Sequence, residues 1–128
     1  MVIVMLSLKD CLKAIHKHKV YHLSKSDKKY KKSIKLKKKI GFRYEEIWNL
    51  DHTIAVYILP RLVYFRDNHC GYPYKYDSEQ QYNEILNKII DGFYLKVTKD
   101  SLYWTDSEKE LWETAKKLFA ECFDTLWD

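Results

Sequence analysis

Three groupings in this 128-residue chain combine residue types that could do chemistry. In "CLKAIHKHKVYH", Cys11, His18 and His22 share one face if the segment is helical, and His18 and His22 stand at the i, i+4 separation that lets two imidazoles meet one ion. A zinc site needs a further ligand, and no CxxC or HExxH supplies it, so neither a metal nor another cofactor is expected. Cys70 follows His69 directly, but sequence neighbours do not point at each other on a helix, and a nucleophile needs a base that a third group orients. Cys122 falls on an apolar stripe and reads as a small buried hydrophobe. No GxxxxGK[ST] and no GxGxxG is present, so nucleotide turnover has no visible machinery and the chain reads as non-catalytic.

The third grouping is charge. "SKSDKKYKKSIKLKKKIGF" carries nine lysines between Lys25 and Lys39. Residues 1–44 hold 14 Lys and Arg against Asp10 and Asp27, a surplus of +12, whereas residues 45–128 hold 9 against 16 carboxylates, or −7, so the net +5 hides a dipolar chain. Ammonium groups neutralise phosphates and aromatic faces stack on bases. The candidate binding surface is therefore Tyr21, His22, Lys28, Lys29, Tyr30, Lys31, Lys32, Lys37, Lys38, Lys39 and Arg43. Lysine lacks the bidentate fork of arginine, and the chain has only Arg43, Arg61 and Arg66, which argues against base-specific reading. A solvated face that merely balances the acidic remainder is the competing account.

In "GFRYEEIWNLDHTIAVYILPRL", residues 41–62, polar residues interrupt an apolar run. Asp51 has two structural readings: a cap accepting from the backbone at Thr53 or Ile54, or a buried partner of Arg43 or Arg61.

The elements that would position these groups follow from periodicity and capping. Only 3 Gly and 2 Pro punctuate the chain, which favours long helices. The opening "MVIVML" is too short to span a bilayer and is expected to be an edge strand or a buried N-terminal arm. "SLKD" matches a capping box, Ser7 to Asp10, and starts a helix running to about Leu23. The lysine run should be a loop followed by a basic helix or extended arm. Ile47, Leu50, Ile54, Ile58, Leu62 and Phe65 define the apolar face of a central helix, which Pro60 should kink or split near Tyr57 to Leu59. Asp77 and Ser78, the latter with Gln81, cap a helix whose stripe is Tyr82, Ile85, Leu86, Ile89, Ile90 and Phe93. Residues 95–104 read as a connection. Thr105 with Glu108 opens a last helix through Leu111, Trp112, Ala115, Leu118, Phe119, Cys122, Phe123 and Leu126, whose apolar face should dock rather than fray. The expected fold is an all-α, single-domain bundle of four to five helices over residues 1–128, with a basic N-terminal helix and arm at 1–40 and a helical core at 41–128.

Taken in order, residues 41–62, "GYP" at Gly71 to Pro73, "ILNKIIDGF" at Ile85 to Phe93 and the terminal "LFAECFDTLWD" resemble a family of small uncharacterised tailed-bacteriophage proteins. The positions that carry the pattern are Gly41, Trp48, Leu50, Asp51, Pro60, Arg61, Gly71, Pro73 and Trp127. The resemblance implies a phage origin and brings no activity. The expected role is host takeover in the host bacterial cytoplasm: binding and inhibiting a defence component such as a CRISPR-type nucleoprotein effector, or sequestering an anionic nucleotide signal. The alternative is a nucleic-acid-associated accessory protein. Expected partners are thus a host protein or nucleoprotein complex, nucleic acid or a nucleotide, with no membrane and with room for a homo-oligomer.

Overall fold

The computed structural model describes residues 5–127. Among the described residues the protein is all-α, with five helices and three short 3-10 turns: α1 (Leu8–Lys17), α2 (Tyr30–Ile40), the turn Tyr44–Ile47, α3 (Leu50–Asn68), α4 (Glu79–Thr98), the turn Ser101–Tyr103, α5 (Asp106–Cys122) and the turn Phe123–Thr125. The expected reading of "MVIVML" falls largely on residues 1–4, outside the described residues. Of the remainder, Met5 is exposed and Leu6 half-buried.

Local signals set most helix starts. Ser7 and Asp10 form a reciprocal capping box before α1, Thr105 and Glu108 form another before α5, and the Ser78 side chain accepts from Gln81 N before α4. Each satisfies backbone donors that would otherwise lack a partner. Gly41 closes α2 at φ 91°, a left-handed conformation that residues with a Cβ rarely adopt.

Several boundaries differ from expectation: tertiary contacts end α1 early, while α3 and α4 continue further than local signals suggested. α1 stops at Lys17 rather than near Leu23. Beyond it, His18 O lies 2.5 Å from His52 Nε2 on α3, and Leu23 N–H donates to Glu45 Oε2 at 2.6 Å. α3 runs unbroken through Pro60. Arg61 Nη1 donates to Tyr57 O at 2.7 Å, beside the turn where proline withholds a donor. α4 extends a turn further than expected, burying Val97, and the last helix gives way to a 3-10 turn at Phe123.

The core lies between α1, α3, α4 and α5. Cys11 and Ala14 of α1 meet Ala55, Leu59, Leu62 and Val63 of α3, Ile89, Ile90, Phe93 and Val97 of α4, and Cys122 of α5. α4 is the central element, packing on α5, α3 and α1. Phe93 meets Trp112 and Phe119 edge-on at 5.2 and 5.3 Å, the preferred geometry for rings. One charge is built into this packing: Arg66, 5% exposed, donates to Leu6 O, Asn87 Oδ1 and Asp67 Oδ1 at 2.7, 2.9 and 3.0 Å. α2 stands outside the bundle, with the turn Tyr44–Ile47 as its main neighbour.

The face expected to bury α3 is buried only in its C-terminal half: Leu62 is buried and Ile58 and Phe65 are half-buried, whereas Ile47, Leu50 and Ile54 are each about half exposed, at 53%, 49% and 51%, and Ala55, Leu59, Val63 and Arg66 point inward instead. α3 is apolar around much of its circumference, so periodicity could not choose which side the bundle covers.

Candidate anionic-partner interface

α2 is attached to the bundle by one polar knot. Ser33, wholly buried on α2, donates to Glu45 Oε1, and Arg43 Nε donates to Ser33 Oγ at 2.8 Å. Arg43 Nη2 reaches Glu45 Oε2 at 2.9 Å and Leu23 O at 3.0 Å, and its guanidinium lies 5.2 Å from the centre of the Tyr30 ring. Burial pushes the Glu45 carboxyl up, but hydrogen bonds from Ser33 and Leu23 N–H, together with the Arg43 charge, hold it below its ordinary value. Arg43 is therefore not part of an exposed basic surface, as its place in the sequence suggested. It is 8% exposed and spends its donors inside this knot. Half-buried Tyr30 belongs to the same unit. The Tyr44 hydroxyl beside it is buried and has no hydrogen-bond partner among the described residues.

The knot fixes which side of α2 faces outward. At roughly 100° per residue, Lys31, Lys32, Lys35, Lys38 and Lys39 fall within about 120° of one another, on the side away from buried Ser33. All five are exposed, and among the described residues none makes an ion pair. Lys28 and Lys29 precede the helix, and Lys37, four residues after Ser33, lies on the Ser33 side of α2, opposite the row. Lys37, Lys38 and Lys39 occupy the last turn, where the negative end of the helix dipole favours cations. The sequence-derived set omitted Lys35. Its i+4 and i+3 spacing from Lys31 and Lys32 was the signal that could have placed it there.

Exposed rings stand next to this unit. Tyr21, 59% exposed, stacks on Trp48, 52% exposed, with centroids 5.9 Å apart and planes 23° apart, and Tyr44 braces Trp48 edge-on at 5.6 Å. His22 is exposed and lies 3.8 Å from Glu46 Oε2. The structure thus brings Tyr21 and His22 to the turn that holds α2, together with Trp48, which the sequence marked only as a pattern residue.

Asp51 matches neither of its expected roles. It lies in the first turn of α3, its side chain 64% exposed, and pairs with Lys96 Nζ of α4 at 2.6 Å; Asn49 is the N-cap. The Lys96 hydrogen bond is the main reason its carboxyl sits below the ordinary value. The pair lies in an open cleft of about 540 Å³ that also takes in His18, Lys19, His52 and Asp100.

The remaining sequence candidates are dispersed. α1 ends before His18, so Cys11, His18 and His22 share no helical face, and among the described residues no three His, Cys, Asp or Glu side chains cluster as metal ligands. Cys11 is fully buried, and burial pushes its thiol up to about 11, away from the thiolate needed for attack. His69 is held between Gly71 O and Asn83 Oδ1, at 2.6 and 2.7 Å. No helix among the described residues is long and apolar enough to cross a membrane.

Compared with family models, with curated proteins and with solved structures, the chain finds no match in any of the three. The likeness to phage proteins therefore rests on the quoted residues alone.

Proposed function

We propose that this protein is a non-catalytic binding protein that docks on a nucleic-acid-containing host complex through the outer face of α2, in the host-takeover role implied by its likeness to phage proteins. The observation that carries the reading is the row of five exposed lysines, none ion-paired among the described residues, on the side of α2 opposite its anchor. Along roughly 12 Å of helix axis this row approaches the charge density of a duplex, about one phosphate per 1.7 Å. The Tyr21–Trp48 stack adds apolar area beside it. The lysine face is a convex helix surface, which suits an extended polyanion better than it suits enclosure of a small nucleotide. In the second reading, an accessory protein that grips free DNA or RNA, the same face makes the contact.

Capture from host cells expressing a candidate defence complex separates the readings. The wild-type protein is expected to retain the complex, and a variant with Lys31, Lys32, Lys35, Lys38 and Lys39 changed to Gln is expected to lose it. Binding to naked nucleic acid that weakens steeply with salt, with a shallower slope in the variant, would favour the accessory role. Equal capture by both proteins would reduce the row to a solvated face.

A further inference from the structure

The outer side of α3 carries a surface of a different kind from the lysine face of α2. Leu50, Ile54, Tyr57, Arg61, Tyr64 and Asn68 follow one another at alternating steps of four and three residues. At about 100° per residue they fall within about 80° of arc, and Ala55, Leu59, Val63 and Arg66, which face the core, lie on the opposite side. All six are open to solvent: Leu50, Ile54, Tyr57 and Tyr64 are 49%, 51%, 62% and 59% exposed, and Arg61 and Asn68 are exposed with them. Alternating steps of four and three are the spacing by which one helix seats against another in a left-handed pair. The occupant that fits is therefore a helix with a matching stripe, about 21 Å long from Leu50 to Tyr64.

The two halves of the stripe differ, and each fits the other. Toward the N-terminus of α3, Leu50 and Ile54 form an aliphatic ridge. Toward its C-terminus, an open groove of about 520 Å³ is lined by Leu8 of α1 and by Pro60, Tyr64 and Phe65 of α3. An antiparallel pair of copies brings the ridge of each toward the groove of the other, the self-complementary contact that a two-fold axis requires. With the axis level with Leu59, Ile54 of one copy meets Tyr64 of the other, and Tyr57 meets Arg61. Arg61 already lies over its own Tyr57, 3.7 Å from the ring centre, so the second ring extends a cation–π contact that the single chain holds. A half-exposed Leu, Ile or Tyr leaves on the order of 100 Å² in water. With Arg61, Asn68 and the groove walls the surface comes to roughly 800 Å² per copy, the share each partner gives to an interface of standard size. The chain before Met5 is too short to take this place, since four residues reach at most about 14 Å.

We propose that α3 is a dimerisation helix, along whose outer stripe two copies of this chain pair antiparallel. The pairing uses no residue of the α2 lysine row, so the dimer carries two such rows.

Sedimentation equilibrium of the full chain tests this. The wild type is expected at twice the 15.6 kDa chain mass at a concentration of about 100 μM. Ile54→Lys and Tyr64→Glu each put an unpaired charge at two points of the seam and should each weaken the dimer at least about 100-fold. Both positions lie outside the core, so the melting temperature of each variant should match the wild type. Mixing the two variants should restore dimers, because the antiparallel pair then sets the introduced cation against the introduced carboxylate at one point and native Ile54 against native Tyr64 at the other. The proposal is overturned if the wild type stays monomeric up to about 1 mM, if either variant alone dimerises as tightly as the wild type, or if the mixture stays monomeric. A chain that dimerises only after residues 2–4 are deleted would assign the stripe to its own N-terminus and overturn the proposal as well.

Discussion

Glu45 is the single side chain on which the placement of α2 depends most, because it takes hydrogen bonds from Ser33 and Leu23 and the charge of Arg43 at once. Removing one member of a buried pair leaves the other charge without compensation, so Glu45→Gln should cost roughly 3–5 kcal/mol, read by urea denaturation. The same residue sets an acid dependence. Its folded value lies below its ordinary 4.5, so the unfolded chain takes up the proton first as pH falls. The stabilisation is complete above that ordinary value and is lost as pH drops through the lower, folded one. Loss of α2 helicity on acidification, absent in Glu45→Gln, is the expected signature by circular dichroism. Asp51 behaves differently because its carboxylate stays largely exposed in the pair with Lys96. Asp51→Asn should cost no more than about 1 kcal/mol, lowering the melting temperature by a few degrees at most.

Between elements, α4 and α5 approach each other closely at Gly92. A Cβ there would come within 2.1 Å of Ala115 Cβ, far inside contact distance. Alanine would gain about 1 kcal/mol of helix propensity, but forcing two helices apart costs about 1–3 kcal/mol or more, so Gly92→Ala should be net destabilising. Adding Ala115→Gly should recover part of that loss, and the coupling in a double-mutant cycle measures the contact. α2 shows the opposite balance. Lys35 forms like-charge pairs at i±4 with Lys31 and Lys39 and at i±3 with Lys32 and Lys38. Lys35→Gln should therefore stabilise α2 by roughly 1 kcal/mol, seen as slower amide exchange, while weakening capture of the anionic partner. Stability rising as binding falls would mark a face kept for recognition; a change in stability with no change in binding would mark it as surface only.

At the scale of the molecule, the chain is a four-helix core with an attached basic arm. α2 rests mainly on the turn Tyr44–Ile47 and contributes nothing to the hydrophobic cluster of the core. Elements with few buried apolar contacts open at lower free energy than the core. Amides of α2 should accordingly exchange well before those of α4, the central helix, in a hydrogen-exchange experiment at neutral pH. Indistinguishable protection would mean that α2 and the core unfold as one unit.

The sequence by itself determined the all-α class, the capped starts of α1, α4 and α5, and the stripe that α4 buries, since all of these rest on interactions within a few residues. It also marked the lysine run, though not which lysines would share a face. Only the tertiary structure decided that α1 yields to His52 and Glu45, that Arg43 is a buried anchor and that Asp51 pairs with Lys96, because those partners lie 22 or more residues away or compete with near neighbours. It alone chose the buried side of α3, whose apolar residues surround the helix and leave periodicity no preference.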